Sequence, residues 1–197
     1  MPRPWCLSCP SPINMQLHEQ PDSELVRQIQ SGDDAGFDEL MRRYKRPVMS
    51  FVFRVLGNAE DAEDIAQDVF VRVYQKLDTY RTETKFSTWL FAMARNAAID
   101  RMRWRARHPT ESIESTPEIA MPSGTAEKVG AREIGGQIAA AVAKLPEDQR
   151  TALVLCEYQG MSYADIAGVM RCSQKSVESR LYRAKLTLRE ALRHLLD

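Results

Sequence analysis

The last forty residues of the chain contain the pattern that most limits how it can fold. Residues 161–170 have the spacing of one short helix, residues 171–173 predict a tight turn, and a longer helix rich in Arg and Lys is predicted from about Gln174 to Leu195. Two helices joined by a three-residue turn are typical of a helix-turn-helix, which lays its second helix in the major groove of DNA. The sequence therefore predicts a protein that binds nucleic acid.

Charges are distributed unevenly along a chain whose formal net charge is zero. Residues 171–193 contain seven basic residues and two glutamates, a net charge of +5, and residues 95–107 contain five arginines and one aspartate, a net charge of +4. Residues 60–68 contain five acidic residues and no basic one. Two basic segments and one acidic segment indicate two contacts with nucleic acid and one contact with a different partner.

Helical periodicity without strand alternation predicts an all-α chain of two small helical domains joined by a flexible linker. We expect a disordered tail over 1–21, a first domain over 22–107, a linker rich in Pro, Ser and Thr over 108–130, and a second domain over 131–197. Such a linker is long enough to let the two domains move independently. Pro47 lies inside the second predicted helix and should kink or break it.

The composition favours a cytoplasmic protein without a cofactor. Hydrophobic residues make up 44% of the chain, but no apolar run approaches the roughly 18–20 residues that cross a bilayer, and the N-terminus has no secretory signal. Cys6 and Cys9 have the spacing of a metal or redox pair. They lie among prolines without a second pair nearby, so a disordered tail is the simpler interpretation, and we expect no metal ion.

The third predicted helix, from Ala59 to Leu77, combines an apolar face with acidic residues. Acids in the first turn of a helix stabilise it by about 0.3–1 kcal/mol, but Asp64 and Asp68 lie beyond that turn. The residues expected to form the core face are Ala62, Ile65, Ala66, Val69, Phe70, Val73, Tyr74 and Leu77. The residues expected to remain exposed and to bind a partner are Asp61, Asp64, Gln67 and Asp68.

Aromatic and basic residues alternate through the fourth predicted helix, from about Ser87 to Arg105, and through the segment before it. Aromatic rings stack on any base and arginine neutralises phosphate, so this mixture favours binding of unstacked bases. Phe86 and Trp89 could instead be core residues. The candidate residues for this contact are Tyr80, Arg81, Lys85, Phe86, Trp89, Asn96, Arg103 and Arg107.

In the basic helix after the turn, apolar residues are spaced to face inward at Val177, Leu181, Ala184 and Leu188. Residues near the start of such a helix reach base edges, whereas later Arg and Lys side chains meet phosphates. The candidate residues for contact with duplex DNA are Lys175, Ser176, Glu178, Ser179, Arg180, Tyr182 and Arg183.

Three motifs together resemble a bacterial sigma factor of the extracytoplasmic-function (ECF, group IV) class of the sigma-70 family. They are DAEDIAQDVF at 61–70, FSTWL at 86–90, and the stretch from LPE to SRLYRA at 145–184. They occur in the order and spacing of that family, and the resemblance covers about residues 22–196. It implies that the first domain is sigma region 2 and that the second is the helix-turn-helix domain of sigma region 4.

The resemblance implies a promoter-specificity subunit of RNA polymerase with no catalysis of its own. The acidic helix would dock on the clamp helices of the polymerase largest subunit, the aromatic and basic segment would recognise and melt the −10 element, and the basic helix would read the −35 element near the flap. An anti-sigma factor would hold the protein inactive until a stress or envelope signal. Glu178 stands where the family commonly has a basic residue, and Arg171 stands where the turn often has Gly.

Two other functions remain open from the residues alone. A stand-alone helix-turn-helix regulator would bind duplex DNA without polymerase, but it leaves the aromatic and basic segment unexplained. A metal-dependent nuclease would use Asp61, Asp64 and Asp68, but it needs further ligands that converge from other segments. The sequence contains no Gly-rich phosphate loop, His pair or nucleophile–base motif that would support an enzyme.

Overall fold

A computed structural model describes residues 20–32, 35–81, 83–108 and 126–195, and these ranges contain helices and no strand. The all-α prediction is therefore confirmed. The helices are α1 (Asp22–Gln30), α2 (Ala35–Leu56), α3 (Ala59–Lys76), α4 (Phe86–Arg107), α5 (Ala126–Ala143), α6 (Glu147–Glu157), α7 (Tyr163–Met170) and α8 (Gln174–Ala191). Among the described residues, no helix has both the length and the apolar character that crossing a membrane requires.

Helices α1–α4 form the first domain around the central helix α2. Helix α2 packs on α1, α3 and α4, and its side chains Phe51 and Val52 are completely buried. Pro47 does not break α2, which is continuous from Ala35 to Leu56. The expectation of a break was wrong because burial of the residues that follow Pro47 offsets the lost backbone hydrogen bond.

Helices α5–α8 form the second domain, and α7 and α8 form the predicted helix-turn-helix. Both helices begin at a serine whose hydroxyl accepts a backbone hydrogen bond. Ser162 accepts from the Asp165 N–H and Ser173 accepts from the Ser176 N–H, each at 3.2 Å. The Ser162 cap fixes the start of α7, and the Ser173 cap ends the turn and fixes the start of α8. The inward positions Val177, Leu181 and Ala184 are buried as predicted.

The turn between α7 and α8 contains the one described residue other than glycine that has a positive φ. Arg171 has φ 51° and ψ 50°, and it follows the last residue of α7. The N–H of Cys172 donates to the Ala167 carbonyl at 3.0 Å and the N–H of Arg171 donates to the Gly168 carbonyl at 3.4 Å, which is the hydrogen-bond pattern of a Schellman motif. Arg171 therefore adopts the left-handed conformation at the position where the turn often has Gly, and a side chain in that conformation is strained.

Replacing Arg171 with glycine should raise the free energy of unfolding by about 0.5–1 kcal/mol. Glycine removes the steric cost of the left-handed conformation, about 1–2 kcal/mol. Its greater chain entropy stabilises the unfolded state and offsets part of that gain. Urea denaturation followed by circular dichroism measures the change. The reciprocal control is Gly160→Ala, which places a side chain at φ 64° and should be destabilising. If the Arg171→Gly protein is less stable than the unaltered protein, the left-handed conformation of Arg171 is not strained.

Helix α5 starts at Ala126, inside the stretch 108–130 that the sequence analysis assigns to the linker. Residues 109–125 lie outside the described residues. The predicted tail over 1–21 is described only at its last two residues, so the possible metal or redox role of Cys6 and Cys9 also falls outside the structure.

The two domains pack directly against each other. Helix α4 of the first domain contacts α7 of the second, and α2 contacts both α5 and α6. The buried apolar side chains of the two domains form one continuous cluster, which includes Phe51 and Phe91 on one side and Leu145 and Leu155 on the other. The predicted linker would permit independent movement, but in this structure the domains share a contact.

Candidate nucleic-acid interface

The outer face of α3 presents the acidic residues that the sequence assigned to a protein partner. Asp64, Gln67 and Asp68 are all exposed, on the side opposite the buried Ile65 and Val69. Val71, one turn further along, is 56% exposed. Exposed apolar groups beside charged ones are common in protein interfaces. We refer to Asp64, Gln67, Asp68 and Val71 as the α3 outer face.

Asp61 does not belong to that face, which corrects the expectation that it stays exposed. Its residue surface is 5% exposed, and its two carboxylate oxygens lie 3.1 Å from Arg101 Nη1 and 2.6 Å from Arg105 Nη2 of α4. The first turn of α3 faces α4, so the carboxylate is enclosed by the two arginines. Asp61 therefore fixes α3 against α4 and has no free oxygen to share with Asp64 and Asp68 in a metal site. Among the described residues, no cluster of His, Cys, Asp and Glu could hold a metal ion.

Tyr74 also departs from its predicted place in the core. It is 52% exposed, and its ring contacts Phe37 edge-on with centroids 5.1 Å apart. The helical spacing that placed it in the core face is correct for Phe70 and Val73, which are buried. Tyr74 lies at the border of this face because α2 covers only part of α3 at that level.

Some of the aromatic residues near the start of α4 are buried, and others reach the surface. Tyr80 is 8% exposed and Phe86 is 3% exposed, so neither ring is available for a base in this conformation. The Tyr80 hydroxyl donates to the Thr84 carbonyl, and burial raises its pKa. Trp89 is half-buried, and its ring centroid lies 5.0 Å from that of Tyr80. The core interpretation is therefore correct for Phe86, whereas Trp89 keeps an accessible edge.

The polar candidates on α4 form an exposed surface. Asn96, Arg103 and Arg107 are exposed, and the side chain of Arg103 is 73% exposed. Arg81, which precedes the helix, is exposed as well. Lys85, directly before the helix, is exposed too, with its side chain 69% exposed, but its Nζ lies 2.8 Å from Asp165 Oδ2 of the second domain.

In α8 the exposed candidates lie along one side of the helix. Tyr182 is 69% exposed, and its exposed neighbours are Lys175, Glu178, Ser179 and Arg183. Ser176 is half-buried, and its N–H donates to the hydroxyl of the cap residue Ser173. This surface carries basic side chains, hydroxyl groups and one carboxylate. Such groups contact the edges of nucleobases and the phosphates of DNA.

Arg180 is held by groups of its own domain. Its Nη2 lies 2.9 Å from Asp148 Oδ2 and its Nη1 lies 2.9 Å from Cys172 Sγ. These contacts hold the Arg180 guanidinium in one position. The ion pair with Asp148 must break before the whole guanidinium can bind DNA. Arg183 has no such restraint among the described contacts and is the more accessible of the two.

The sequence analysis missed four residues that connect the two domains. Glu147 and Asp148 accept from Arg95 of α4, and Asp165 accepts from Lys85, the residue before α4. The Arg150 Nη1 donates to the Val55 carbonyl at 2.6 Å. Burial would raise the pKa of the Asp165 carboxyl, but hydrogen bonds from Lys85 and Ser162 hold it below its ordinary value. Burial lowers the pKa of Arg150. The three acids lie in the first turns of their helices, where the helix dipole alone accounts for them, so the sequence contains no separate signal of this contact.

Comparison with known proteins assigns both domains to one family. Residues 40–108 match the family model of Sigma-70 region 2, and residues 135–188 match that of Sigma-70 region 4. The RNA polymerase sigma-H factor of Pseudomonas aeruginosa is 34% identical over 91% of this chain and 98% of its own length. The ECF RNA polymerase sigma factor SigW of Bacillus subtilis is 31% identical over 86% and 96%.

A solved structure supports the same assignment. The sigma factor RpoE of Bartonella quintana, crystallised with the anti-sigma factor NepR, superimposes with a TM-score of 0.67 at 25% identity. The match covers 80% of this chain and 96% of that one.

Proposed function

The chain belongs to the extracytoplasmic-function group of the sigma-70 family of RNA polymerase sigma factors, and we propose from this membership that it directs core RNA polymerase to a specific set of promoters. The observation that carries the proposal is the presence of three separate surfaces in one chain. These are the α3 outer face, the exposed polar surface of α4, and the exposed side of α8.

The α3 outer face is the proposed contact with the clamp helices of the polymerase largest subunit. Asp64 and Asp68 supply charge for recognition, Gln67 supplies hydrogen bonds, and Val71 supplies apolar area. A charged surface of this kind increases the rate and the specificity of association. The buried Asp61 acts indirectly, because its ion pairs with Arg101 and Arg105 hold α3 in place on α4.

Helix α4 is the proposed binding site for the melted −10 element. Trp89 offers a ring edge at the surface, and Asn96 can read the exposed edge of an unstacked base. Arg103 and Arg107, about two and three turns beyond Asn96 along the helix, would neutralise phosphates of the non-template strand. Extracting a base costs a few kcal/mol, which stacking and phosphate contacts must offset. Tyr80 and Phe86 act as the buried support of Trp89 in this proposal.

The exposed side of α8 is the proposed reader of the −35 element as duplex DNA. Lys175, Ser176 and Ser179 lie in its first two turns, where a recognition helix reaches base edges. Glu178 would accept a hydrogen bond from cytosine N4, so we expect a cytosine at the base that it faces. Tyr182 and Arg183 lie further along and would meet the backbone.

An anti-sigma factor is the proposed regulatory partner, in a response to stress or to the state of the cell envelope. The support is that RpoE of Bartonella quintana, which has the same arrangement of helices, was crystallised with an anti-sigma factor. Co-purification of the tagged chain from unstressed cells, followed by mass spectrometry, tests this partner. Recovery of uncomplexed protein that is fully active in transcription would contradict it.

The decisive test is transcription in vitro from fragmented genomic DNA with purified core polymerase, with and without the protein, followed by sequencing of RNA 5′ ends. Start sites that require the protein and share two upstream elements would support the proposal and would give the promoter sequence. Binding to duplex DNA without any new start sites would indicate a stand-alone regulator instead.

Replacing Arg103 and Arg107 together with alanine should reduce the salt dependence of binding to a fluorescent single strand that carries the −10 sequence. Each lost phosphate contact reduces the magnitude of the slope of log K against log salt by about 0.7. The slope of the double variant should therefore be smaller in magnitude by about 1.4. Fluorescence anisotropy over a series of salt concentrations measures the slope. The matched control is Arg27→Ala with Arg42→Ala, which removes two exposed arginines from α1 and α2. Equal slopes for the two double variants would remove Arg103 and Arg107 from the interface.

A further inference from the structure

The last two turns of α4 and the residue after them carry a tryptophan and a histidine among four arginines. Residues 101–108 have the sequence RMRWRARH, which contains no acidic residue. The last buried residue of α4 is Ile99, so the helix extends beyond the part that the core of the first domain covers. Trp104 lies in this extension and is 38% exposed. Packing in the core therefore does not account for Trp104.

Trp104 and His108 form a stacked pair of rings. Their centroids are 4.8 Å apart and their planes are inclined by 23°. The His108 Nδ1–H donates to the Trp104 carbonyl at 2.9 Å, and the backbone N–H of His108 donates to the same carbonyl at 3.0 Å. Two hydrogen bonds thus hold the imidazole ring against the indole ring.

Arg101 and Asp61 support this pair from the preceding turn. The Arg101 Cζ lies 6.0 Å from the centroid of the Trp104 ring, within the range of a cation–π contact. Arg101 is itself held by the buried Asp61, whose Oδ1 lies 3.1 Å from Arg101 Nη1. Positions 101, 104 and 108 are three and four residues apart, so they follow one another along one face of the helix. We refer to Arg101, Trp104 and His108 as the α4 column.

The ring of His108 is the exposed end of the α4 column. A nucleobase stacks on an aromatic ring whatever its sequence, because every base has a π-face. Arg103 and Arg107 are exposed beside the column, where their guanidinium groups can bind the phosphates that flank a stacked base. The surface therefore offers both contacts that single-stranded nucleic acid uses.

The charge of this surface favours nucleic acid over a protein as its partner. Residues 100–107 contain four arginines and one aspartate, and the buried Asp61 contacts two of these arginines, which leaves four positive and two negative charges, a net of +2. The positive charge that remains is on exposed guanidinium groups next to exposed rings. A polyanion that carries flat rings complements such a surface in both respects.

We propose that the α4 column is a stacking site for one nucleobase of a single strand, separate from the site at Trp89. Trp89 and Trp104 are 15 residues apart, which is about 22 Å along the helix. At 3.4 Å per stacked nucleotide, the two stacked bases are at most about seven nucleotides apart. That the strand is the −10 strand rests on the proposed function, whereas the base site itself can be tested without a promoter.

Two fluorescent strands of about fifteen nucleotides separate base stacking from phosphate binding. One is oligothymidylate, and the other has the same backbone without any base. Fluorescence anisotropy gives a dissociation constant for each, and the base-free value divided by the thymidylate value is the stacking ratio. One stacked base strengthens binding about 5- to 150-fold, so Trp104→Ala should reduce the ratio at least about fivefold. Trp104→Phe keeps a ring and should retain most of the ratio.

The stacking ratio compares two ligands of one protein, so a partial loss of folded protein cancels. His108→Ala should reduce the ratio as Trp104→Ala does, because the exposed ring is lost. Asp61→Asn should reduce it less, since both rings remain and only the support of Arg101 is weakened. If Asp61→Asn weakens binding to the two strands equally, Asp61 does not position the column.

The matched control is Tyr163→Ala, which removes an aromatic ring of similar exposure, 42%, from α7. Its stacking ratio should equal that of the unaltered protein. Equal ratios for Trp104→Ala and Tyr163→Ala would overturn the base site and would leave the two rings as a surface for a protein partner. Failure of the unaltered protein to bind either strand would overturn it as well.

Transcription from genomic fragments judges the proposed function separately. A stacking ratio that depends on Trp104, without any new start sites, would establish a base site in a chain that does not direct polymerase. New start sites with a ratio that is independent of Trp104 would support the proposed function and overturn the base site.

Discussion

Replacing Phe51 with alanine should lower the free energy of unfolding by about 3–5 kcal/mol. Phe51 is completely buried in the middle of α2, and its ring meets Phe91 of α4 edge-on with centroids 5.5 Å apart. Truncation removes the apolar area of the ring and leaves a cavity between two long helices that cannot close easily. Domains of this size have a total stability of about 5–15 kcal/mol, so the loss is a large part of it.

The matched control for Phe51 is Phe53, which is in the same helix but only half-buried. Phe53→Ala deletes the same atoms from a position that solvent already reaches, so its cost should be smaller, about 1–2 kcal/mol. Urea denaturation of both variants, followed by far-UV circular dichroism, gives the comparison. Equal losses would show that the interface between α2 and α4 does not carry the stability of the first domain.

Phe51 also connects stability to function. Because α4 carries the proposed binding site for the −10 strand, a cavity beneath it would reduce binding by loosening the helix even though no DNA contact is removed. Phe51→Ala should therefore lose strand binding steeply as temperature rises, whereas Arg103→Ala with Arg107→Ala should lose it evenly across temperature.

Helix positions could be predicted from the sequence where capping residues and periodicity agree. The start of α3 at Ala59 was predicted from the Asn58 cap, whose side chain accepts from the Asp61 N–H at 2.8 Å. Helix α8 begins at Gln174 as predicted, whereas α7 begins at Tyr163, two residues after the predicted start, because Ser162 is its cap. These signals are local, within about four residues of the helix start, so no tertiary information is needed.

The errors concern residues whose environment depends on distant parts of the chain. Asp61 has the spacing of an exposed acid, but its partners Arg101 and Arg105 come from α4, forty residues later. Tyr74 satisfies the helical period of the core face, yet α2 covers it only in part, through Phe37, and leaves it 52% exposed. Proline inside a helix usually interrupts it, but α2 continues through Pro47 because the residues that follow it are buried. Periodicity specifies which side of a helix a residue occupies but not what covers that side.

The interdomain contact was beyond prediction for the same reason. Its ion pairs join residues more than fifty positions apart, and each acid involved has a sufficient local explanation in the first turn of its helix. The sequence did indicate that α4 and α8 are basic and that α3 is acidic. It contained no signal that acids of the second domain would occupy the basic residues of the first.

Replacing Asp64 and Asp68 together with lysine should weaken binding to core RNA polymerase by about a hundredfold, which corresponds to about 2.8 kcal/mol. Both carboxylates are exposed on the α3 outer face, so the substitution should leave the core of the first domain unchanged. Reversal replaces attraction with repulsion toward a basic partner surface, and like charges brought together in an interface cost several kcal/mol. Fluorescence anisotropy of labelled protein titrated with core polymerase, without DNA, measures the change.

The control for this reversal is Glu24→Lys with Asp38→Lys, which makes the same change in net charge at a half-exposed position of α1 and an exposed position of α2. Because the net charge changes equally, a difference between the two double variants reports the location of the contact and not a general attraction. Higher salt should reduce the difference, since exposed charges are screened over about 8–10 Å. If the reversal at Asp64 and Asp68 binds polymerase within threefold of the unaltered protein and its urea midpoint is unchanged, the polymerase contact lies elsewhere. The acidic segment of α3 would then have only a helix-stabilising role.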